Sequence, residues 1–346
     1  MRNSIGTSET SMNGTSLDGA LLKVENLRIA FRTDEGQIQA VDGVDLTAQT
    51  GRTLGIVGES GSGKSVSTHA IMRLLPGTAV IHPDSSIQFR RKDGTVVEIT
   101  QLAPTGREMR AIRGGEIAMI FQEPMATFSP VYTIGNHIME AILAHEEVSK
   151  QEARERAIHL LDRVGIANPS RRVDQYPFEL SGGMRQRAMI AVALSANPSL
   201  LIADEPTTAL DVTIQAQILA LMRELQEEMG MAILFITHDL GVISQIAHDV
   251  VVMYLGQIME RGTVREVIKE AKHPYTQNLL QAIPRLESLG QRLHAIGGRI
   301  PSPMERPPGC PFHTRCPQAM PGVCDKAFPE TTHFSPTHEV NCFLYE

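Results

Sequence analysis

Hydrophobic and polar positions in the first quarter of the chain predict two strands, then a strand, a loop and a helix. LLKVENLRIAF (21–31) predicts a strand, and TDEGQ (33–37) predicts a hairpin turn before a second strand near 40–46. RTLGIVG (52–58) predicts a short β-strand that ends in glycine. The following KSVSTHAIMRLL (64–75) has apolar residues at helical spacing, so we expect a helix there.

The middle of the chain is predicted to form two helices and then to alternate between strands and a helix. Ser149 and Glu152 form a capping-box pattern before an amphipathic helix that Gly165 ends, and 180–197 predicts a second helix opened by small residues. Apolar strands at 199–206 and 231–239 then flank an amphipathic helix, which ends at Gly230. Strand, helix and strand in this order predict a parallel sheet with right-handed crossovers.

Composition limits the classes of function. The 346 residues carry a formal charge of −7, which argues against broad electrostatic binding to nucleic acid or anionic lipid, so no nucleic-acid partner is expected. The sequence has no uninterrupted apolar run long enough to cross a membrane. Residues 1–20 are rich in Ser, Thr, Gly and Asn and lack the apolar centre of a signal peptide. We therefore expect a flexible tail at 1–20 on a chain that stays in the cytosol.

The segment GESGSGKS fits the phosphate-binding pattern of a glycine, four residues, and then Gly-Lys-Ser. Its members are Gly58, Glu59, Ser60, Gly61, Ser62, Gly63, Lys64 and Ser65. The glycines let successive backbone N–H groups point at phosphate oxygens, while Lys64 supplies a positive charge and Ser65 offers a hydroxyl to Mg²⁺. A chance glycine-rich turn is the alternative. The position between a predicted strand and a predicted helix favours a phosphate site, which can hold an anion locally on an acidic protein.

Two acidic residues end the buried strand LLIADE. Asp204 is placed to hold Mg²⁺, and Glu205 is placed to orient or deprotonate an attacking water. The alternative is a solvated acidic turn, which the upstream phosphate motif makes less favourable.

A family resemblance enters with ELSGGMRQR (179–187), which resembles the signature sequence of ATP-binding-cassette (ABC) ATPases. Further family landmarks follow the family's order: Phe31, Gln122 in IFQEP, TALD at 208–211 with Asp211, and His238 in ITHD. The resemblance covers about 21–262, and it departs at Met184, where the family commonly has Gln.

The resemblance implies a role for each of these residues. Gln122 and His238 would act with Glu205 in ATP hydrolysis, and Gln122 would also bind Mg²⁺ with Ser65 and Asp204. Phe31 would stack on adenine. Two such ATPase domains pair head to tail in the family, so the signature and Asp211 would serve a nucleotide shared between two subunits. The implied signature residues are Ser181, Gly182 and Gly183.

The fold implied by the resemblance is an α/β P-loop NTPase of the ABC ATPase type. It has a RecA-like parallel-sheet core, an antiparallel β subdomain and an inserted α-helical subdomain at about 123–195. We therefore expect a tail at 1–20, an ABC ATPase domain at 21–262 and a C-terminal extension with four cysteines at 263–346.

The C-terminal extension indicates which branch of the ABC ATPases the chain resembles. HPYTQNLLQAIP (273–284) and RIPSPMERPPGCPFHTRCP (299–317) look like the extension of dipeptide/oligopeptide-importer ATP-binding subunits, a family that also serves nickel and oligosaccharides. The resemblance implies an ATPase that powers peptide import through two integral-membrane permease subunits at the cytoplasmic face of the inner membrane. A paralogous ATPase subunit would pair with it, and an external solute-binding protein would deliver the solute. The alternatives are nickel or oligosaccharide import, a soluble ABC ATPase acting on ribosomes or nucleic acid, and a redox or iron sensor.

The four cysteines of the chain all lie in its last 37 residues. They are Cys310, Cys316, Cys324 and Cys342. Prolines crowd the segment after about residue 286, so we expect loops there that are held by something other than strand pairing. Disulfides are disfavoured in the cytosol, zinc prefers closer cysteine pairs, and four thiolates suit a 4Fe–4S cluster. Some members of the resembled family carry such a cluster here, which favours it over zinc or unmetallated thiols.

Overall fold

Two β-sheets organise the fold in the computed structural model, which describes residues 17, 19–122, 127–208, 210–283 and 296–346. The strands are β1 (Leu22–Thr33), β2 (Gly36–Ala48), β3 (Thr53–Val57), β4 (Ala79–Ile81), β5 (Ser86–Arg90), β6 (Val96–Glu98), β7 (Ile117–Ile120), β8 (Leu200–Asp204), β9 (Ala232–Thr237), β10 (Asp249–Tyr254), β11 (Gln257–Thr263), β12 (Thr331–His333) and β13 (Glu339–Asn341). The α-helices of the described residues are α1 (Lys64–Ile71), α2 (Arg107–Ile112), α3 (Ile134–His145), α4 (Lys150–Arg163), α5 (Pro169–Arg172), α6 (Gly182–Leu194), α7 (Val212–Met229), α8 (Leu240–Ile246), α9 (Val264–Lys269) and α10 (Pro274–Gln281).

The smaller sheet is antiparallel and contains the predicted hairpin. Its order is β2-β1-β5-β6, with β4 also paired to β1. Thr33 pairs with Gly36 across the turn, so the predicted strand, turn and strand are confirmed. One face of β1 is fully buried through Leu22, Leu27 and Ile29, which explains the alternation of apolar residues in its sequence.

The larger sheet has the order β12-β13-β11-β10-β3-β9-β8-β7, and β10, β3, β9, β8 and β7 run parallel. The parallel sheet predicted from the strand-helix-strand order is confirmed. All residues of β3, β8 and β9 are buried, as expected of central parallel strands covered on both faces. Because carboxyl ends of parallel strands meet at one edge, the chain segments after these three strands lie together there.

Helices α3 to α6 lie between β7 and β8, within the segment 123–195 that we expected to form the inserted subdomain. The Ser149 hydroxyl accepts a hydrogen bond from the Glu152 N–H and caps α4. After that helix Gly165 has φ +75°, a left-handed conformation that favours glycine. The predicted start and end of this helix are therefore confirmed.

The C-terminal segment adds strands to the edge of the larger sheet. β13 pairs antiparallel with β11, and β12 pairs with β13. The expectation that strand pairing plays no part in holding this segment is therefore wrong. Its prolines crowd 301–321, whereas the two short strands lie further on, and Pro336 falls in the turn between them, where no ladder hydrogen bond is lost.

The expected flexible tail at 1–20 falls largely outside the described residues. Of its members that are described, Leu17 and Ala20 are buried. Over the described ranges, every helix is too short or too polar to cross a lipid bilayer.

Candidate nucleotide-binding and hydrolysis site

The phosphate-binding segment 58–65, the P-loop, connects β3 to α1 in the strand, loop and helix order that the sequence predicted. Gly61 and Gly63 have φ values of +78° and +94°, and a Cβ on Gly63 would lie 2.8 Å from the Ala40 carbonyl oxygen. Glycine is therefore required at the helix start for both conformation and space. The turn directs the first N–H groups of α1 towards the phosphate position.

Lys64 is buried inside this loop. Its ammonium group donates hydrogen bonds to the carbonyl oxygens of Gly58 (2.7 Å) and Glu59 (2.9 Å). Burial lowers the pKa of Lys64, while the carboxylates of Glu205, Asp204 and Glu59 act in the opposite direction. A desolvated cation beside a helix N-terminus binds a phosphate group more strongly than an exposed one does.

Asp204 ends β8 beside the P-loop and fits the predicted Mg²⁺ ligand. Its side chain is buried, and its Oδ1 atom has no hydrogen-bond partner. Burial raises the pKa of Asp204, and a hydrogen bond with Ser65 opposes this shift. A buried, unpartnered carboxylate oxygen beside a serine hydroxyl suits a hard divalent cation, because oxygen ligands are what Mg²⁺ prefers.

Three side chains contact the carboxylate of Glu205, and two of them were predicted to act with it. Gln122 Nε2 donates to its Oε2 atom (3.0 Å), and Thr208 Oγ1 donates to the same atom (2.9 Å). His238 Nδ1 lies 3.3 Å from Oε1. The structure thus brings Gln122, Glu205 and His238 together as expected, and it adds Thr208, whose role at this carboxylate the sequence did not reveal.

The backbone of Glu205 is held in an uncommon conformation. Its φ is +47°, and its N–H donates to the Ile236 carbonyl oxygen at 2.9 Å. Left-handed backbone at a residue other than glycine costs on the order of 1 kcal/mol and persists where surrounding contacts enforce it. This conformation turns the chain sharply after β8 and fixes the direction of the Glu205 carboxylate.

Phe31, expected to stack on adenine, lines a cavity of about 250 Å³ next to the P-loop. Its lining includes Phe31, Ile38, Gly61, Leu255, Pro303 and Arg306. A largely apolar cleft beside a phosphate site suits a planar base. Pro303 and Arg306 come from the C-terminal segment, and nothing in the sequence placed them here.

The signature residues lie at a different helix start. Ser181 caps α6 by accepting a hydrogen bond from the Met184 N–H (3.4 Å), and both Ser181 and Gly182 are exposed. Gly183 packs against Ile214, whose Cγ2 atom lies 3.1 Å from the position of an added Cβ. Asp211 is also exposed and caps α7 through the Ile214 N–H (2.9 Å). Within one chain, Ser181, Gly182 and Asp211 therefore lie at two exposed helix N-termini, at the starts of α6 and α7.

The comparisons with known proteins agree with this geometry. Residues 41–208 match the ABC transporter family, and residues 259–324 match the oligopeptide/dipeptide transporter C-terminal region. The dipeptide transport ATP-binding protein DppD of Bacillus subtilis (strain 168) is 47% identical over 94% of this chain and 95% of its own length. The chain belongs to the ATP-binding proteins of ABC transporters. It is therefore an ABC-type ATPase, and ATP with Mg²⁺ fits its P-loop site.

A second relative and a solved structure support the same family and fold. A putative peptide import ATP-binding protein of Brucella abortus (strain 2308) is 49% identical over 94% of this chain and 97% of its own length. Among solved structures, the dimeric bacterial ABC transporter cassette MJ0796 superposes with a TM-score of 0.61 at 27% identity, over 70% of this chain and 99% of that one. The expected ABC ATPase fold is therefore confirmed.

The four cysteines line one cavity of about 20 Å³, together with His273 and His313. Burial raises the pKa of Cys310 to about 12 and that of Cys342 to about 11. The cavity has room for one water-sized group. Within the described ranges, no group of three or more His, Cys, Asp or Glu side chains is arranged to hold a metal ion. As they lie, the cysteines do not fit a four-iron cluster, so the predicted cluster is unsupported.

One further contact, which no sequence pattern predicted, joins the C-terminal segment to the P-loop. The Glu59 N–H donates to the Tyr275 hydroxyl (2.9 Å), and the Glu59 carboxylate pairs with Arg315 (2.7 Å). More than 200 residues separate Glu59 from each of these partners in the chain. No local pattern reports a contact at that sequence separation.

Proposed function

We propose that this chain is the ATP-hydrolysing subunit of an ABC importer for dipeptides or oligopeptides. The observation that carries this proposal is the match of residues 259–324 to the oligopeptide/dipeptide transporter C-terminal region. The names of the Bacillus and Brucella relatives support it, because both are described as dipeptide or peptide transport ATP-binding proteins. Nickel or oligosaccharide import by the same machinery is the nearest alternative.

The proposed chemistry is hydrolysis of the terminal phosphate of ATP. Lys64 and the N–H groups of the P-loop bind the phosphates, and Glu205 orients and deprotonates the attacking water. His238 and Gln122 contact the Glu205 carboxylate and hold it in position. Ser65, Asp204 and Gln122 would hold Mg²⁺, which offsets phosphate charge during the transfer.

We propose further that two ATPase subunits pair head to tail, so that Ser181, Gly182, Gly183 and Asp211 serve the nucleotide of the partner. The exposed start of α6 supports this arrangement, because the N-terminus of a helix suits an anion delivered by another molecule. The related solved cassette is itself described as dimeric. Closure would then depend on the terminal phosphate, and hydrolysis would release it.

The proposed assembly contains a paralogous ATPase subunit, two permease subunits and an external solute-binding protein. This chain would lie at the cytoplasmic face of the inner membrane, attached through the permeases. It would power transport without touching the solute.

Reconstitution with the permeases tests the proposal. We expect this chain to co-purify with permease subunits from a detergent extract. In vesicles, a binding protein loaded with dipeptides or oligopeptides should stimulate ATP hydrolysis and drive peptide uptake. Stimulation by nickel or an oligosaccharide instead would replace the proposed solute, and co-purification with ribosomes or DNA would overturn the importer itself.

For the cysteines, we propose a 4Fe–4S cluster held by Cys310, Cys316, Cys324 and Cys342 after a rearrangement, because the four side chains do not fit such a cluster as they lie. All four cysteines line one cavity, which would have to widen to admit a cluster. Anaerobically purified protein should then be brown, with absorbance near about 400 nm and iron and sulfide in equal amounts. A colourless protein with four titratable thiols and no metal would contradict it.

A further inference from the structure

Arg315 makes a buried, two-point ion pair with the P-loop. It ends a short 3₁₀ turn (His313–Arg315) between Cys310 and Cys316. Its Nη1 atom lies 2.7 Å from Glu59 Oε2, and its Nη2 atom lies 3.1 Å from Oε1. The Arg315 side chain is only 3% exposed. A bidentate arginine–carboxylate pair of this kind fixes the direction of both side chains.

The guanidinium is held from several sides. It also donates to the Tyr254 hydroxyl (3.2 Å) and to the Gly297 carbonyl oxygen (3.0 Å). It lies over the rings of Tyr254 and Phe312, at 5.8 and 6.0 Å from the ring centroids. These contacts fix the position of the guanidinium, and a movement of the cysteine-bearing loop would shift it relative to Glu59.

Three groups hold Glu59 at its three polar positions. Tyr275 accepts a hydrogen bond from its N–H, Lys64 donates to its carbonyl oxygen, and Arg315 neutralises its carboxylate. Two of these three groups belong to the segment after residue 263. The position of a P-loop residue is thus set largely from outside the cassette core.

The charge of Glu59 gives the contact a consequence for nucleotide binding. An anionic side chain in a phosphate-binding loop repels the phosphates of ATP, and the repulsion is weakly screened where the groups are desolvated. Arg315 offsets that charge and directs the carboxylate towards the C-terminal segment. Without Arg315, the carboxylate would keep its charge and lose its partner.

The same segment reaches the site at a second point. Pro303 and Arg306 line the cavity beside Phe31, and Arg306 pairs with Asp42 at 3.2 Å. The C-terminal segment therefore contacts the phosphate loop through Arg315 and borders the cavity proposed for the base through Pro303 and Arg306.

We propose that Arg315 is a positioning residue of the ATP site, through which the cysteine-bearing C-terminal segment sets the affinity of the P-loop for nucleotide. A rearrangement of the four-cysteine cavity that moves residues 310–316 then changes ATP binding. By linkage, ATP binding changes the stability of the same loop. The inference goes beyond the proposed function and holds whichever solute is carried.

The first test compares Arg315→Gln with Arg91→Gln in the full chain. Arg91 follows β5 and pairs at 2.7 Å with Glu116, which comes just before β7, so this is a matched, partly buried arginine–glutamate pair away from the P-loop. We expect Arg315→Gln to weaken ATP affinity and raise KM by about tenfold, with kcat nearly unchanged. Arg91→Gln should change ATP affinity by less than about twofold. Arg315→Lys, which keeps the charge, should recover part of the loss.

The second variant isolates the charge of Glu59 and leaves the C-terminal segment intact. In the double variant Glu59→Gln with Arg315→Gln, the repelling carboxylate is gone, so we expect tighter ATP binding than in Arg315→Gln alone. A purely structural role of the pair predicts losses that add or grow. Equal or weaker binding by the double variant would overturn the electrostatic account.

Hydrogen exchange gives a readout independent of activity. We expect ATP to slow exchange of the backbone amides of 309–326 in the wild-type chain and in Arg91→Gln. The effect of ATP should vanish in Arg315→Gln. The proposal fails if Arg315→Gln keeps both wild-type ATP affinity and the ATP-dependent protection of 309–326.

Discussion

Glu205 and Glu59 lie at the same edge of the larger sheet, yet the groups around the two carboxylates differ in charge. Glu205 contacts the amide of Gln122, the hydroxyl of Thr208 and the imidazole of His238. None of these contacts places a guanidinium or ammonium group on it. Its carboxylate is therefore oriented without being neutralised by a permanent cation, as a group that accepts a proton from water requires.

Glu59 has the opposite surroundings. Arg315 neutralises its carboxylate through two hydrogen bonds, so that this glutamate serves as an attachment point and is not available as a base. The comparison shows that the groups in contact with a carboxylate decide whether it can act as a base in a nucleotide site. The partners of Glu205 come from the cassette motifs, whereas Arg315 comes from the C-terminal segment.

The largest expected effect is at Glu205. Glu205→Gln keeps the size of the side chain and removes its basicity, so ATP should still bind while turnover falls by about a thousandfold. Single-turnover hydrolysis and equilibrium ATP binding measure the two effects separately. Glu116→Gln, in a carboxylate that pairs with Arg91 away from this site, is the matched control. Near-normal turnover of Glu205→Gln, in a complex whose partner site is disabled, would exclude it as the essential base.

Lys64→Ala, in contrast to Glu205→Gln, should weaken the binding of ATP. Lys64 is the buried cation between the P-loop carbonyls, and its loss removes the charge that we propose contacts the terminal phosphates. We expect ATP affinity to fall by about a hundredfold, since a hydrogen bond to a charged group contributes about 1.5–3 kcal/mol, roughly twice as much as a neutral one. Equilibrium binding of a fluorescent ATP analogue measures it. Unchanged affinity would contradict the role of Lys64, and exposed Lys150→Ala on α4 is the control.

Most of the surroundings of Glu205 could be predicted from the sequence, whereas those of Glu59 could not. The P-loop, Glu205 and His238 each follow a buried parallel strand and Asp204 ends one, and the carboxyl ends of parallel strands meet at one edge of the sheet. Their gathering was therefore predictable from apolar strand patterns and motif order. The hairpin of β1 and β2 was equally predictable, because its turn residues lie between two alternating runs.

The contacts of the C-terminal segment were not predictable for a physical reason. Arg315 and Tyr275 meet Glu59 across sequence separations of 256 and 216 residues. The loops that carry Arg315 lack the periodicity that reveals a buried face. The short strands β12 and β13 have three residues each, too few for an alternation to be recognised among prolines. Only the folded edge of the larger sheet shows what they pair with.

Glu260 is the next test, because it anchors the C-terminal segment that carries Arg315. This fully buried carboxylate accepts hydrogen bonds from the N–H groups of Lys272 and His273 and lies 2.8 Å from His338 Nε2. Glu260→Gln turns an amide donor towards these donors, so we expect a loss of about 2 kcal/mol in the free energy of unfolding. Urea unfolding followed by circular dichroism measures it.

The matched control is Glu339→Gln, which breaks the half-exposed pair with Arg261 on the neighbouring strand and should cost less than about 1 kcal/mol. A cost for Glu260→Gln no larger than that of Glu339→Gln would show that Glu260 is not an anchor. If Glu260→Gln also weakens ATP binding, the C-terminal segment transmits the change to the P-loop, as proposed for Arg315.

The smallest expected change in the free energy of unfolding is at Glu266, which connects α9 to the turn between β12 and β13 through hydrogen bonds. It accepts hydrogen bonds from Ser335 Oγ (2.6 Å) and Thr337 Oγ1 (2.9 Å), besides those from Thr263. Burial would raise the pKa of Glu266, but these hydrogen bonds lower it to about 2. A folded-state pKa below the unfolded one stabilises the protein above about pH 4.5, and this contribution disappears as the pH falls towards 2.

Glu266→Gln should therefore lower the free energy of unfolding by about 1 kcal/mol at pH 7, because the side chain is only partly buried. The gap between wild type and variant should stay constant down to about pH 5 and close below it. Urea unfolding at pH 7, 5 and 3 measures the gap, with exposed Glu270→Gln as the control. A gap that is independent of pH would mean that Glu266 holds this turn through packing and not through its charge.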